Sequence, residues 1–102
     1  MELVAERTFT IRNKLGLHAR AANMVVQVAS NFEAAITVDK DGLEANAKSI
    51  MGLLLLAAGH GSQIVVRAQG KDAKEAIEAI GSLIEGKFGE KKDAAQQRRE
   101  GS

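Results

Sequence analysis

Between Arg7 and Arg12 the chain alternates, with Thr8, Thr10 and Arg12 polar against Phe9 and Ile11 apolar. A period of two predicts a half-buried strand. From Ala19 to Asn31 the period changes: alanines with Met24, Val25, Val26, Val28 and Ala29 recur at helical spacing. The β-branched valines make this a mediocre helix by propensity, so tertiary packing has to hold it. Ala35 to Asp39 alternates again through Ile36 and Val38, Asp41-Gly42 is a hairpin-turn dipeptide, and Leu43 to Ala47 returns as the partner strand. Ser49 then precedes an apolar run that ends at Gly59, the pattern of a short helix with serine as N-cap and glycine just past its end, weakened internally by Gly52.

After Gly59-His60-Gly61-Ser62, a fourth strand places Ile64, Val66 and Ala68 on one face and Gln63, Val65 and Arg67 on the other, closed by Gly70. A last helix starts at or beside Asp72. Its apolar stripe is Ala76, Ile77, Ile80, Leu83 and Ile84, its wet face Lys74, Glu75, Glu78 and Glu85, and Phe88 completes its packing. Beyond Gly89 the stretch EKKDAAQQRREGS has no apolar period and predicts a polar, disordered tail, so the domain is placed at residues 1–90 and the tail at 91–102. The order strand, helix, strand, strand, helix, strand, helix predicts an α+β fold. One antiparallel sheet carries three helices on one face, with Thr8, Thr10, Thr37, Asp39, Gln63 and Arg67 on the open face.

Composition narrows the function only in places. A length of 102 residues with 45% apolar content suits one domain with one core. Thirteen acids against fourteen Lys and Arg give a net charge of +1, so no overall field argues for nucleic acid or an anionic membrane surface. Three phenylalanines, without tryptophan or tyrosine, leave few rings to stack on bases. The absence of cysteine removes disulfides, thiolate nucleophiles and cysteine-based zinc sites and fits a reducing compartment. Acids at Glu2 and Glu6 and the lack of an apolar core argue against an export signal, and the run from Ile50 to Ala58, broken by Gly52, is too short to span a bilayer. A cytoplasmic protein is expected.

Chemistry concentrates at the joints. His18 stands just before the first helix, where backbone N–H groups lack intrahelical partners and the macrodipole is positive, a natural place for an anion. Arg20, two residues on, offers a guanidinium fork for phosphate oxygens. Neutral imidazole leaves one ring nitrogen free as a nucleophile. The plainer reading of His18 is a capping side chain, and spacing alone does not overturn it. Ser49 is equally an ordinary N-cap, yet a phosphoserine at a helix N-terminus meets the same dipole and free N–H groups. GHGS around His60 lacks the lysine and spacing of a phosphate loop and reads as a solvated turn. IMGLLLLAA holds more large apolar residues than one buried stripe needs, which leaves Met51 and Leu54 or Leu55 for a docking patch. Two histidines, no cysteine and no HExxH-like spacing give no support to metal or triad chemistry, and no cofactor is implied.

Two separated motifs, NKLGLHARAA around His18 and NAKSIMGLLLL around Ser49, resemble the HPr-type phosphocarriers of the phosphoenolpyruvate-dependent phosphotransferase system (PTS), including the nitrogen-branch members often called NPr. The resemblance covers about residues 7 to 90. It implies an open-faced β-sandwich, a monomer, in which His18 receives a phosphoryl group on Nδ1 from enzyme I and passes it to an enzyme IIA-type protein. It also implies that Arg20 steadies the phosphate, that backbone N–H groups of Ala19 and Arg20 hydrogen-bond it, and that Ser49 is the serine a regulatory HPr kinase modifies in some lineages. Ile50, Met51 and Leu54 then form the partner-docking surface. Ala21 stands where the family usually has proline, restoring a first-turn N–H and leaving the unfolded chain freer by about 0.4–1 kcal/mol. Two other readings remain at this stage: a regulatory member of the nitrogen branch, and a non-catalytic α/β binding module.

Overall fold

A computed structural model describes residues 3–90. Four strands, β1 (Val4–Thr10), β2 (Ala35–Lys40), β3 (Leu43–Asn46) and β4 (Gln63–Gln69), form one sheet in the order β1-β4-β2-β3, and every neighbouring pair is antiparallel. Three α-helices, α1 (Ala19–Ala29), α2 (Ile50–Leu55) and α3 (Ala73–Glu85), alternate with the strands as the periodicity predicts, and a short left-handed turn covers Lys87–Gly89. The tail expected at 91–102 lies outside the described residues. Among those described, no helix is long and apolar enough to cross a membrane.

Register explains the two faces. Phe9 faces Ile64, Val38 faces both Val66 and Ala45, and Ile36 faces Ala68, so one face of the sheet is uniformly apolar and buried. α1 sets Ala21, Ala22, Val25 and Ala29 into the core, and α3 adds Ala76, Ile77, Ile80 and Ile84. Alanines on α1 and Gly81 on α3 leave room for larger partners; a Cβ on Gly81 would stand 2.8 Å from the Phe9 ring. On the opposite, solvated face Arg67 gathers three carboxylates, Glu6 at 2.9 Å, Glu44 at 3.5 Å and Asp39 at 3.9 Å. Such cross-strand pairs satisfy charge on an open sheet rather than add much stability.

Boundaries differ from the periodicity in instructive places. β1 begins at Val4 rather than Arg7, because its pairing with β4 runs on to Val4 opposite Gln69; Ala5 and Glu6 are too weak an alternation to show it. Beyond Thr10 the ladder thins to Ile11, whose N–H donates to Ser62 O while its carbonyl accepts from Gly61. The hairpin turn is as expected: Asp41 and Gly42 both take positive φ, 54° and 89°, the type I′ signature, and Asp39 accepts from the Gly42 N–H. α2 stops at Leu55, short of Gly59, because Ala57 enters the left-handed region (φ 51°) and turns the chain toward the loop before α1.

Asp72 does start α3, but its carboxylate does not cap it. Both oxygens instead accept from the loop after α1, at the N–H groups of Glu33 and Ala34, each 2.9 Å away. The Glu33 N–H is the main reason the Asp72 carboxyl titrates below the usual aspartate value; partial burial pulls the other way, and the Ala34 N–H and the charge of Lys71 add to the lowering. A carboxyl with a depressed folded pKa contributes stability above its unfolded pKa, and that contribution fades as pH falls through the folded value. Asp72→Asn is therefore expected to unfold more readily than the parent at neutral pH. The gap between their melting temperatures closes below about pH 4, and melting curves between pH 7 and pH 2 check this.

Candidate functional site

The site assembles on the loop that carries β1 into α1. Asn13 is buried and donates from Nδ2 to Gly16 O at 2.8 Å, the Gly16 N–H returns to Asn13 O, and Leu17 N–H donates to Ala58 O at 2.8 Å. The segment after α2 thus lies directly against the loop before α1. Gly16 is required there: its φ is +70°, and a Cβ would stand 2.6 Å from Ala58 O and 2.7 Å from Gly59 Cα. Gly16→Ala is expected to destabilise the fold by about 2 kcal/mol or more, since strain and a backbone clash coincide. A melting temperature within a degree of the parent's would contradict it.

His18 occupies the N-cap of α1 in extended geometry, φ −81° and ψ −179°, and its Nδ1 accepts from the Arg20 N–H at 3.2 Å. Because that bond requires an unprotonated Nδ1, the neutral ring carries its proton on Nε2. The imidazole is half-buried, and Ala19 and Arg20 beside it are exposed. Ala22 N–H closes the first helical bond to His18 O, while the Ala21 N–H donates no hydrogen bond within the described structure. Alanine where proline is usual therefore costs the helix no bond and places one more donor in its first turn.

The segment carries three cations without an acid. Arg12, Lys14 and Arg20 make no ion pair among the described residues, and neither do Lys48, Lys74 and Lys87 elsewhere, whereas Arg7, Lys40, Arg67 and Lys71 all do. The Arg20 side chain is thus exposed and without an ion pair among the described residues, two residues after the N-cap His18. Composition hides this cluster, since the chain is nearly neutral; the acid-free stretch RNKLGLHAR shows it.

Ser49 caps α2 as expected, with Oγ accepting from Gly52 N–H at 3.1 Å and its carbonyl from Leu53. Gly52 belongs to this arrangement, because a Cβ there would lie 3.2 Å from Ser49 Oγ. No hydrogen bond joins Ser49 to His18 among the described residues, although α1 and α2 pack together. On α2, Met51 and Leu55 are a helical turn apart and about two-thirds exposed, at 66% and 69%, with Ile50 at 39%. Leu53 and Leu56 point inward, and Leu54 flanks them, partly buried against the core. The outward pair is therefore Met51 and Leu55, with Leu54 the less available of the residues read as docking positions. Leu15, passed over in the sequence, is also 66% exposed, three residues before His18; its signal was an unpaired leucine between Lys14 and Gly16.

Comparison with known proteins places the sequence and the fold in one family. Residues 5–86 match the family described as PTS HPr component phosphorylation site. Phosphocarrier protein HPr of Cupriavidus necator is 46% identical over 85 residues, 83% of this chain and 96% of that protein. Phosphocarrier protein NPr of Shewanella violacea is 47% identical over 85 residues, 83% of this chain and 93% of that one. The crystal structure of HPr-C-His from Thermoanaerobacter tengcongensis superposes with a TM-score of 0.82 at 49% identity, covering 85% of this chain and 98% of that one. With an open antiparallel sheet under three helices and a histidine capping the first of them, the chain belongs to the HPr family of PTS phosphocarriers.

Proposed function

We propose that the protein accepts a phosphoryl group on His18 Nδ1 from phosphorylated enzyme I and delivers it to an enzyme IIA-type protein, in the cytoplasm. The observation that carries this reading is the N-cap geometry of His18, which keeps Nδ1 unprotonated and beside free helix N–H groups. In the acceptance step the Nδ1 lone pair attacks phosphorus in line, the bond from phosphorus to the donor group breaks, and that electron pair returns to enzyme I. The Arg20 N–H, released from Nδ1, then donates to a phosphoryl oxygen together with the Ala19 N–H, and the unpaired Arg20 side chain closes over the group. Delivery reverses these moves on the second partner.

A carrier has to hold its phosphoryl group loosely. A solvent-facing helix N-terminus, worth about 0.3–1 kcal/mol to a nearby anion, stabilises it without trapping it. The half-buried ring and exposed neighbours leave the group open to both partners. We further assign Met51, Ile50 and Leu55, with Leu54 at their margin, to partner docking, and Ser49 to regulation by an HPr kinase where one is present. Phosphate on its Oγ adds about two negative charges at the edge of that patch. The same chemistry serves a sugar-uptake member or a nitrogen-branch regulator, which differ in the partner that takes the phosphoryl group.

The direct test is intact-mass measurement after incubation with phosphoenolpyruvate, magnesium and enzyme I. One added phosphoryl group, lost in acid, is the expected result with Ala21 as it stands; no mass increase would remove the carrier reading.

A further inference from the structure

We propose that Glu90 is a positioning residue for phosphoryl acceptance: its side-chain carboxylate clamps the Lys14 amide and so holds the loop from which His18 enters α1. The inference rests on the carrier reading for its functional part and on geometry for the clamp. Glu90 opens the polar stretch that the sequence assigns to a tail, yet Glu90 Oε1 accepts from the Lys14 N–H at 2.7 Å, across 76 residues of chain. Its other carboxylate oxygen is buried and has no hydrogen-bond partner among the described residues, so the group is lodged against the loop rather than extended into solvent.

Reaching Lys14 takes an unusual backbone. Lys87, Phe88 and Gly89 follow one another in the left-handed region, with φ of 58°, 53° and 73°, and two of the three carry a Cβ that disfavours it. Buried Phe88 anchors this turn, and Gly89 N–H to Gly86 O and Glu90 N–H to Lys87 O complete it. A strained conformation persists when its surroundings over-determine it, and here it delivers one carboxylate to one loop.

That loop has three other ties. Asn13 closes it on Gly16, Leu17 reaches Ala58, and His18 N–H returns to Gly16 O. The Asn13–Gly16 bonds close a turn around Lys14 and Leu15 but tie it only to itself; among the described residues Glu90 is what joins that turn, through the Lys14 N–H, to another part of the fold. The carboxylate is a charged acceptor, stronger than water as a partner for the amide. Loss of the clamp unties the Asn13–Gly16 turn from the C-terminal segment and lets it pivot as a unit, and the ring's line to an incoming phosphorus becomes one of several orientations.

Glu90→Ala and Glu90→Gln separate this role from mere stability, because glutamine keeps an acceptor oxygen in the same place. Expected for Glu90→Ala is a rise of about tenfold or more in Lys14 amide exchange, a shift or broadening of the His18 ring signals, and a roughly three- to tenfold lower kcat/KM for acceptance from phosphorylated enzyme I. Glu90→Gln restores all three to within about twofold. A Glu90→Ala rate equal to the parent's, or a Lys14 amide in the parent that exchanges as fast as a free chain, overturns the proposal. Exchange in the unsubstituted protein reads the clamp even if Glu90→Ala folds poorly. Failure of the parent itself to take up phosphoryl groups removes the carrier reading and the positioning role with it, while Lys14 exchange still reports whether the clamp exists.

Discussion

Substituting His18 by alanine is expected to abolish phosphoryl uptake: over a time in which the parent chain is fully labelled by phosphoenolpyruvate and enzyme I, the variant gains no mass. The argument is chemical before it is structural. A phosphoryl transfer of this kind needs an unprotonated nitrogen with an accessible lone pair, and His18 Nδ1 has one, held by the Arg20 N–H at 3.2 Å. The other imidazole, His60, lies in an exposed turn between α2 and β4 and caps no helix.

Because His18 is also an N-cap, its loss mixes two effects. A second variant, His18→Asn, separates them, since asparagine is among the best N-cap residues but offers no nucleophile. The alanine variant should lose about 0.5–1 kcal/mol of stability, and the asparagine variant little or none, while both fail to accept a phosphoryl group. Uptake by His18→Asn would move the acceptor elsewhere. Nitrogen resonances of the His18 ring supply an independent check, with an unprotonated Nδ1 and a protonated Nε2 expected in the neutral form.

How far the sequence could lead is seen in individual residues. Period-two stretches around Phe9, Ile36 and Ile64 lie on the buried face of the sheet, because a strand with one wet face writes its register into the alternation. Asp41-Gly42 specified its turn because few residues tolerate two successive positive φ values. α2 was harder, since nothing in LLLLAAGHG signals that Ala57 rather than Gly59 goes left-handed; the cause is a distant pairing of Leu17 with Ala58. The same holds for Asp72, a strong N-cap residue by type whose carboxylate is claimed by the loop after α1. His18 and Ser49 emerged from two motifs at the starts of two helices. The supports of the His18 loop, Gly16 against Ala58 and Glu90 against Lys14, are contacts between segments far apart in sequence, which no local pattern records.

Ser49→Asp is expected to slow phosphoryl acceptance from enzyme I by about tenfold, which corresponds to about 1.4 kcal/mol, while leaving the fold as stable as before. Aspartate replaces serine well as an N-cap, so its carboxylate can take the Gly52 N–H that Ser49 Oγ now holds at 3.1 Å. What changes is charge at the start of α2, next to exposed Ile50 and Met51, on a helix packed against α1, whose preceding loop and first turn carry Arg12, Lys14 and Arg20, without ion pairs among the described residues. A new negative group there weakens the attraction of that positive segment for an acidic partner surface, an effect that salt should reduce. Ser49→Ala gives the opposite pattern, with about 0.5–2 kcal/mol of stability lost with the cap and transfer close to the parent rate below its melting transition. Rates measured for both variants at two salt concentrations decide the matter. Equal rates for Ser49→Asp and the parent at low salt would leave Ser49 as a helix cap and nothing more.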